Sequence, residues 1–70
     1  MSLTIEQRHQ IDRLTIRLGM QTIYGRNQFV ERVVGHPIKH LVDLTPSEAK
    51  VVISACKEEL LARHEEQKSA

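Results

Sequence analysis

The sequence predicts an all-α protein, a three-helix mini-domain with a short irregular segment before the last helix. Three stretches show the helical spacing of apolar residues, and isolated glycines or a His-Pro step separate them. A chain of 70 residues is long enough for one small domain. With 40% apolar residues it is too apolar for intrinsic disorder, yet no uncharged apolar stretch is long enough to cross a membrane.

The first helix is predicted from about Ile5 to Leu18. Thr4 and Gln7 match a capping box at its start, and Gly19 follows as a C-terminal stop. Its apolar residues fall on two faces of the helical wheel instead of one. The first face carries Leu3, Ile11, Leu14 and Leu18, and nearly opposite lie Ile5, His9, Ile16 and Met20. Either both faces are covered within the monomer, or Ile5, His9 and Ile16 form a docking surface for another chain.

The second helix is predicted over roughly residues 23–34. Gly25 lowers the helix propensity of its first turn, whereas two i,i+4 apolar pairs make one stripe along the remainder, namely Phe29 with Val33 and Val30 with Val34. Gly35 offers a left-handed cap, and Pro37 pushes the residue before it towards extended geometry. The helix is therefore expected to end at Val34.

The connection from Pro37 to Leu44 shows no clean periodicity. We expect a short extended or 3₁₀ segment in which Ile38, Leu41 and Leu44 are buried. A one-turn helix over residues 38–41 is the alternative.

The third helix has the best-defined start. Thr45 is the expected N-cap, Pro46 takes the first helical position, and Glu48 completes a capping box. A single core stripe follows, made of Ala49, Val52, Ile53, Cys56 and Leu60, while Val51 and Leu61 lie outside it. We expect one domain over residues 1–62, followed by a charged, frayed tail over residues 63–70. The predicted core contains Leu14, Leu18, Phe29, Val30, Val33, Leu41, Ile53, Cys56 and Leu60.

No residue pattern indicates an enzyme, a cofactor or a metal site. His36 and His40 are four residues apart, but Pro37 interrupts helical geometry between them and no further ligands lie nearby. Cys56 falls in the middle of an apolar stripe, which indicates a core residue rather than a nucleophile. The three glycines each stand alone, so no phosphate-binding loop is present. We therefore expect a non-catalytic protein with neither cofactor nor small-molecule substrate.

The formal net charge of +1 conceals an uneven distribution. Residues 1–40 hold six Lys or Arg against three Asp or Glu, whereas residues 41–70 hold four against six. A few clustered cations are enough for weak, salt-sensitive phosphate contact. The candidate nucleic-acid contacts are Arg13, Arg17, Arg26, Arg32, His36, Lys39 and His40.

A sequence pattern around the last two helices resembles a known module. Val33-Val34-Gly35 ends one predicted helix, and Asp43-Leu44-Thr45-Pro46-Ser47-Glu48-Ala49 opens the next. This pattern is similar to the small C-terminal helical module of phage and bacterial DNA-recombination proteins, including Erf-type single-strand annealing proteins. The resemblance spans about residues 5–60, with His36-Pro37-Ile38-Lys39-His40 in place of a Ser-containing spacer. It implies a three-helix fold and a role accessory to DNA metabolism, and it carries no catalytic residues.

Two functional hypotheses follow from these observations. The first is a protein-interaction module whose partner is another protein or a second copy of itself, bound through Ile5, His9, Ile16, Val51 and Leu61. The alternative is a module that binds single-stranded DNA weakly, with an affinity that falls steeply as salt rises. The protein-interaction hypothesis is preferred because the excess of positive charge is small and only two aromatic residues are present to stack on bases. One unpaired cysteine without a secretion signal predicts a cytoplasmic protein.

Overall fold

A computed structural model describes the backbone of residues 1–69 and the side chains of residues 1–64. It contains three α-helices, α1 (Ile5–Arg17), α2 (Ile23–Val34) and α3 (Pro46–Ser69), with a 3₁₀ turn (Leu41–Asp43) before the last one. α3 packs against both α1 and α2. Residues 1–69 contain no strand, and the predicted all-α, three-helix fold is confirmed. None of the helices within the described part of the chain is long and apolar enough to span a bilayer.

Both ends of α1 carry the caps that the sequence predicts. The Gln7 N–H donates to the Thr4 hydroxyl at 3.0 Å, and the Thr4 N–H donates to Oε1 of Gln7 at 2.9 Å. At the other end Gly19 has a φ of +87°, which a residue with a side chain rarely adopts. The N–H groups of Gly19 and Met20 donate back to carbonyls of the last turn. This Schellman arrangement satisfies backbone groups that the helix leaves free.

The boundaries of α2 also agree with the prediction, although one of its caps was not anticipated. Thr22 is the N-cap, and its hydroxyl accepts a hydrogen bond from the N–H of Gly25 at 3.0 Å. A Cβ atom on Gly25 would lie 3.2 Å from the Thr22 hydroxyl oxygen, so glycine relieves crowding inside this cap. Gly35 closes the helix in the left-handed conformation, with a φ of +83°.

The segment between α2 and α3 takes the predicted 3₁₀ form instead of a one-turn helix over residues 38–41. Ile38, Leu41 and Leu44 are all buried, as expected. The carboxylate of Asp43 accepts from the backbone N–H groups of Lys39 and His40, which fixes the approach to the turn. The same two N–H groups, with that of His40 contributing most, hold the pKa of Asp43 below its usual value.

The core joins all four elements around the inner face of α3. Its buried apolar residues are Leu3, Ile11, Leu18, Val30, Ile38, Leu41, Leu44, Ala49, Val52, Ile53 and Cys56. Of the nine predicted core residues, five are buried, and the other four, Leu14, Phe29, Val33 and Leu60, are partly buried against them. Thr15 is also buried, which the apolar pattern did not reveal, and its hydroxyl donates to the Ile11 carbonyl at 2.8 Å. This bond allows a hydroxyl to lie inside the core.

The third helix extends beyond the domain boundary predicted at residue 62. Its backbone is helical through Ser69, whereas the sequence predicts a charged, frayed tail over residues 63–70. These positions carry no Gly or Pro that would end a helix. Arg63 also belongs to the folded domain, because its Nη1 donates to the carbonyl of Leu18 at 3.1 Å. Ala70, the last residue of the predicted tail, lies outside the described residues.

Candidate interaction surface

The second apolar face of α1 is open to solvent. Ile5 is 76% exposed and Ile16 is 62% exposed, and His9 between them is also exposed. The described residues of the monomer therefore do not cover this face, and the interpretation that both faces are buried internally is wrong for these three residues. The opposite face meets the core through Ile11 and Leu18, and Met20, just after the helix, is partly buried against the core.

Two residues of α2 extend the exposed apolar area next to α1. Ile23 is 68% exposed and Tyr24 is 74% exposed. Ile23 lines one surface groove together with Ile16 and Met20, and a second groove together with Tyr24. We call Ile5, Ile16, Met20, Ile23 and Tyr24 the α1–α2 surface. Ile23 and Tyr24 were not among the predicted interface residues, although their position outside the Phe29–Val34 stripe was a usable signal.

Val51 and Leu61 were predicted to join this interface, and the structure places them on α3. They are 52% and 59% exposed; Val51 lies across α3 from its buried stripe of Val52, Ile53 and Cys56, whereas Leu61 lies at the side of that stripe. Lys57, one turn before Leu61, lines a groove together with Ile16 of α1. The predicted interface residues of α3 therefore do not share one face.

The seven predicted nucleic-acid contacts do not form one cluster either. Arg13 and Arg17 line a groove of about 490 Å³ together with Lys57. On another part of the surface, Arg26 and His40 line a second groove, while Arg32 and Lys39 are exposed.

Arg26 forms an ion pair within the monomer. Its Nη1 donates to Oδ1 of Asp12 at 2.8 Å, and only 19% of the Arg26 side chain is exposed. The pair joins α2 to α1 beside Ile16, which lines the same groove as both charged residues. Arg26 thus holds the α1–α2 surface together instead of extending freely towards a phosphate.

His36 also has an intramolecular partner, which sequence reasoning missed. Its Nε2 bonds to Oε2 of Glu48, and its Nδ1 faces the carbonyl oxygen of Pro37 at 3.1 Å. The hydrogen bond to Glu48, followed by the contact with the Pro37 carbonyl, raises the pKa of His36. The pKa of Glu48 is lowered, first by the backbone N–H of Thr45 and then by His36. The pair therefore ties the end of α2 to the first turn of α3.

Folding stability is expected to decrease as the pH rises through the raised pKa of His36. Protonated His36 is favoured in the folded state, so its contribution is complete below the ordinary histidine pKa and is lost above the folded pKa. Glu48 acts in the opposite direction, because a lowered pKa contributes stability that is lost only as the pH falls through it. The pair is consequently strongest at mildly acidic pH.

Urea unfolding of the wild type between about pH 6 and about pH 8 measures this loss. Glu48→Gln should flatten the profile, because the amide still completes the capping box with Thr45 but carries no charge for His36. His64→Gln is the matched control, since this exposed histidine lies far along α3. A profile that is unchanged in Glu48→Gln and flattened in His64→Gln would contradict the assignment.

The described residues contain no arrangement that points to metal or thiol chemistry. No group of three or more His, Cys, Asp or Glu side chains among them could hold a metal ion. Cys56 is fully buried, and burial raises the pKa of its thiol, which disfavours the reactive thiolate.

Taken together, the fold and the surface define a small all-α protein with an uncovered apolar face on α1 and α2. No family model, no curated protein and no solved structure matches this chain. The resemblance to Erf-type modules therefore stays a prediction.

Proposed function

We propose that this protein is a non-catalytic helical interaction module that binds another protein chain through the α1–α2 surface. The observation that carries the proposal is the exposure of Ile5, Ile16, Ile23 and Tyr24, each between 62% and 76% exposed on two successive helices. Fully burying one isoleucine side chain is favourable by about 1.5–3 kcal/mol. Association that covers several of these residues together would recover much of that free energy.

Single exposed apolar residues are normal on any protein, so their arrangement matters more than their number. Ile16, Met20 and Ile23 line one groove, and Ile23 lines the next groove with Tyr24. Contiguous apolar areas of this kind mark interaction sites more often than scattered ones do. The ion pair between Asp12 and Arg26 lines the first of these grooves, so a partner would meet both apolar and charged groups there.

Nucleic-acid binding is the alternative, and it has less support. Arg26 and His36 already have partners within the monomer, in Asp12 and Glu48. The groove lined by Arg13, Arg17 and Lys57 remains available for a phosphate, but no aromatic side chain lines it. The resemblance implies a role accessory to DNA metabolism. On this proposal, the protein would perform that role by binding a protein partner.

Site-specific photo-crosslinking in the cells that produce the protein tests this proposal. A photoreactive residue in place of Ile23 should yield one discrete crosslinked species, whose partner is identified by mass spectrometry. The matched control places the same group at Val51, which is 52% exposed and lies across α3 from the buried stripe of that helix. Equal adduct patterns at the two positions, or none at Ile23, would contradict binding through the α1–α2 surface.

A further inference from the structure

The outer face of α1 has a residue pattern that is complementary to itself. Ile5, His9, Asp12 and Ile16 follow one another at intervals of four, three and four residues, which is the spacing of a coiled-coil seam. Apolar residues stand at both ends of this seam and polar residues stand in the middle. The order of apolar and polar positions is therefore the same from either end of the helix.

We propose that the partner is a second copy of this chain, with the two α1 helices packed antiparallel about a twofold axis between residues 10 and 11. This inference rests on the proposed function and names the partner of the same surface. In this register Ile5 of one copy meets Ile16 of the other, and His9 of one copy meets Asp12 of the other. The symmetry repeats each contact, so two apolar layers enclose two His–Asp contacts.

The residues beside the seam support the antiparallel direction. Glu6, Arg13 and Arg17 lie along one edge of α1 and are all exposed. About the same twofold axis, Glu6 of one copy falls between Arg13 and Arg17 of the other, and opposite charges meet at both ends.

A parallel pair would place like charges together. Asp12 would face Asp12 across the seam, and Arg8 of one copy would lie beside Arg13 of the other. Like charges at such contacts are unfavourable, so the pattern selects the antiparallel arrangement.

The carboxylate of Asp12 is already held in place within the monomer. Arg26 binds Asp12 through a single carboxylate oxygen, Oδ1, and the Asp12 side chain remains 37% exposed. The ring N–H of His9 from another copy can therefore donate to this carboxylate without displacing Arg26. A central polar contact of this kind fixes the register of the two helices.

The expected affinity of the two copies for each other is modest. The 13 residues of α1 span about 20 Å, and a single pair of helices this short buries less surface than a standard protein interface. Met20 and Ile23, which border the face beside Ile16, can add to the buried area. A dimer with a dissociation constant in the micromolar range is consistent with such an interface.

A charge-exchange experiment tests both the partner and the direction. One variant carries Glu6→Arg, and the other carries Arg13→Glu with Arg17→Glu, so that each edge becomes uniformly charged. Each variant alone should dimerise about tenfold or more weakly than the wild type, whereas an equimolar mixture should form a heterodimer near the wild-type affinity. Circular dichroism of each variant checks that these exposed substitutions leave the fold intact.

Disulfide trapping gives a second measurement that does not depend on charge. Chains with Ile5→Cys and chains with Ile16→Cys should form a mixed disulfide on oxidation, in preference to either symmetric one, while buried Cys56 stays unreactive. A charge-exchanged mixture that stays monomeric, or a preference for symmetric disulfides, would overturn the proposal. If the purified wild type is a monomer but Ile23 crosslinks to a different protein, this inference fails and the proposed function stands.

Discussion

Replacing Ile11 with alanine is expected to destabilise the fold by about 2–5 kcal/mol. Ile11 is fully buried, and its side chain lies where the inner face of α1 joins the core. The substitution loses the burial of several methyl and methylene groups and leaves a cavity behind. Because a core of this size rarely supplies more than about 3–5 kcal/mol, a large fraction of the variant should be unfolded at room temperature. Urea unfolding followed by circular dichroism measures the change.

Ile16→Ala is the matched control for this experiment. It removes the same atoms from the same helix, but Ile16 is 62% exposed and contributes nothing to the buried core. At a concentration where the protein is monomeric, its free energy of unfolding should change by less than about 0.5 kcal/mol. Equal losses in the two variants would mean that the assignment of the inner and outer faces of α1 is wrong.

Ile16→Glu is expected to abolish self-association while leaving the monomer folded. Each copy contributes Ile16 to one of the two apolar layers, so a single substitution places a carboxylate in both layers. Burying an unpaired charge is strongly unfavourable, and the dissociation constant should rise by about 100-fold or more. Sedimentation velocity over a range of concentrations measures the effect.

Val51→Glu provides the control for Ile16→Glu. Val51 is 52% exposed, close to the exposure of Ile16, but it lies across α3 from the buried stripe of that helix. The same change of charge and polarity at this position should leave the dimer intact. Loss of the dimer in Val51→Glu, with its retention in Ile16→Glu, would place the interface on α3 instead of α1.

The local features of this fold could be read from the sequence because each depends on residues only a few positions apart. The capping boxes of Thr4 with Gln7 and of Thr45 with Glu48 form where they were predicted. Gly19 and Gly35 both take the left-handed conformation expected of a glycine at the end of a helix. The helical periodicity of α3 likewise identified its buried stripe, because the residues that share one face of a helix are buried together.

Contacts between distant parts of the chain could not be predicted in the same way. Periodicity does not show that Arg26 turns back to Asp12, that His36 reaches Glu48, or that Arg63 reaches the end of α1. Each pairing depends on how the helices cross. Two of these contacts also change the candidate nucleic-acid site. Arg26 and His36 were predicted to contact phosphate, but each binds a carboxylate within the monomer.

The five predicted interface residues are all exposed, but they lie on two helices and do not include Ile23 or Tyr24. Ile5 and Ile16 were recognised because two apolar faces on one short helix are unusual. Ile23 joins them only through the turn between α1 and α2, which the sequence pattern does not specify. Val51 and Leu61 are exposed on α3, and the helical wheel of one helix does not show in which direction the faces of another helix point.

The molar mass of the wild-type protein in solution shows whether the chain associates with itself. Sedimentation equilibrium from about 10 µM to about 500 µM covers the concentrations over which a micromolar dimer forms. We expect a mass that rises with concentration towards twice the chain mass of 8.0 kDa. A mass that stays at 8.0 kDa up to the highest concentration would contradict self-association through the outer face of α1.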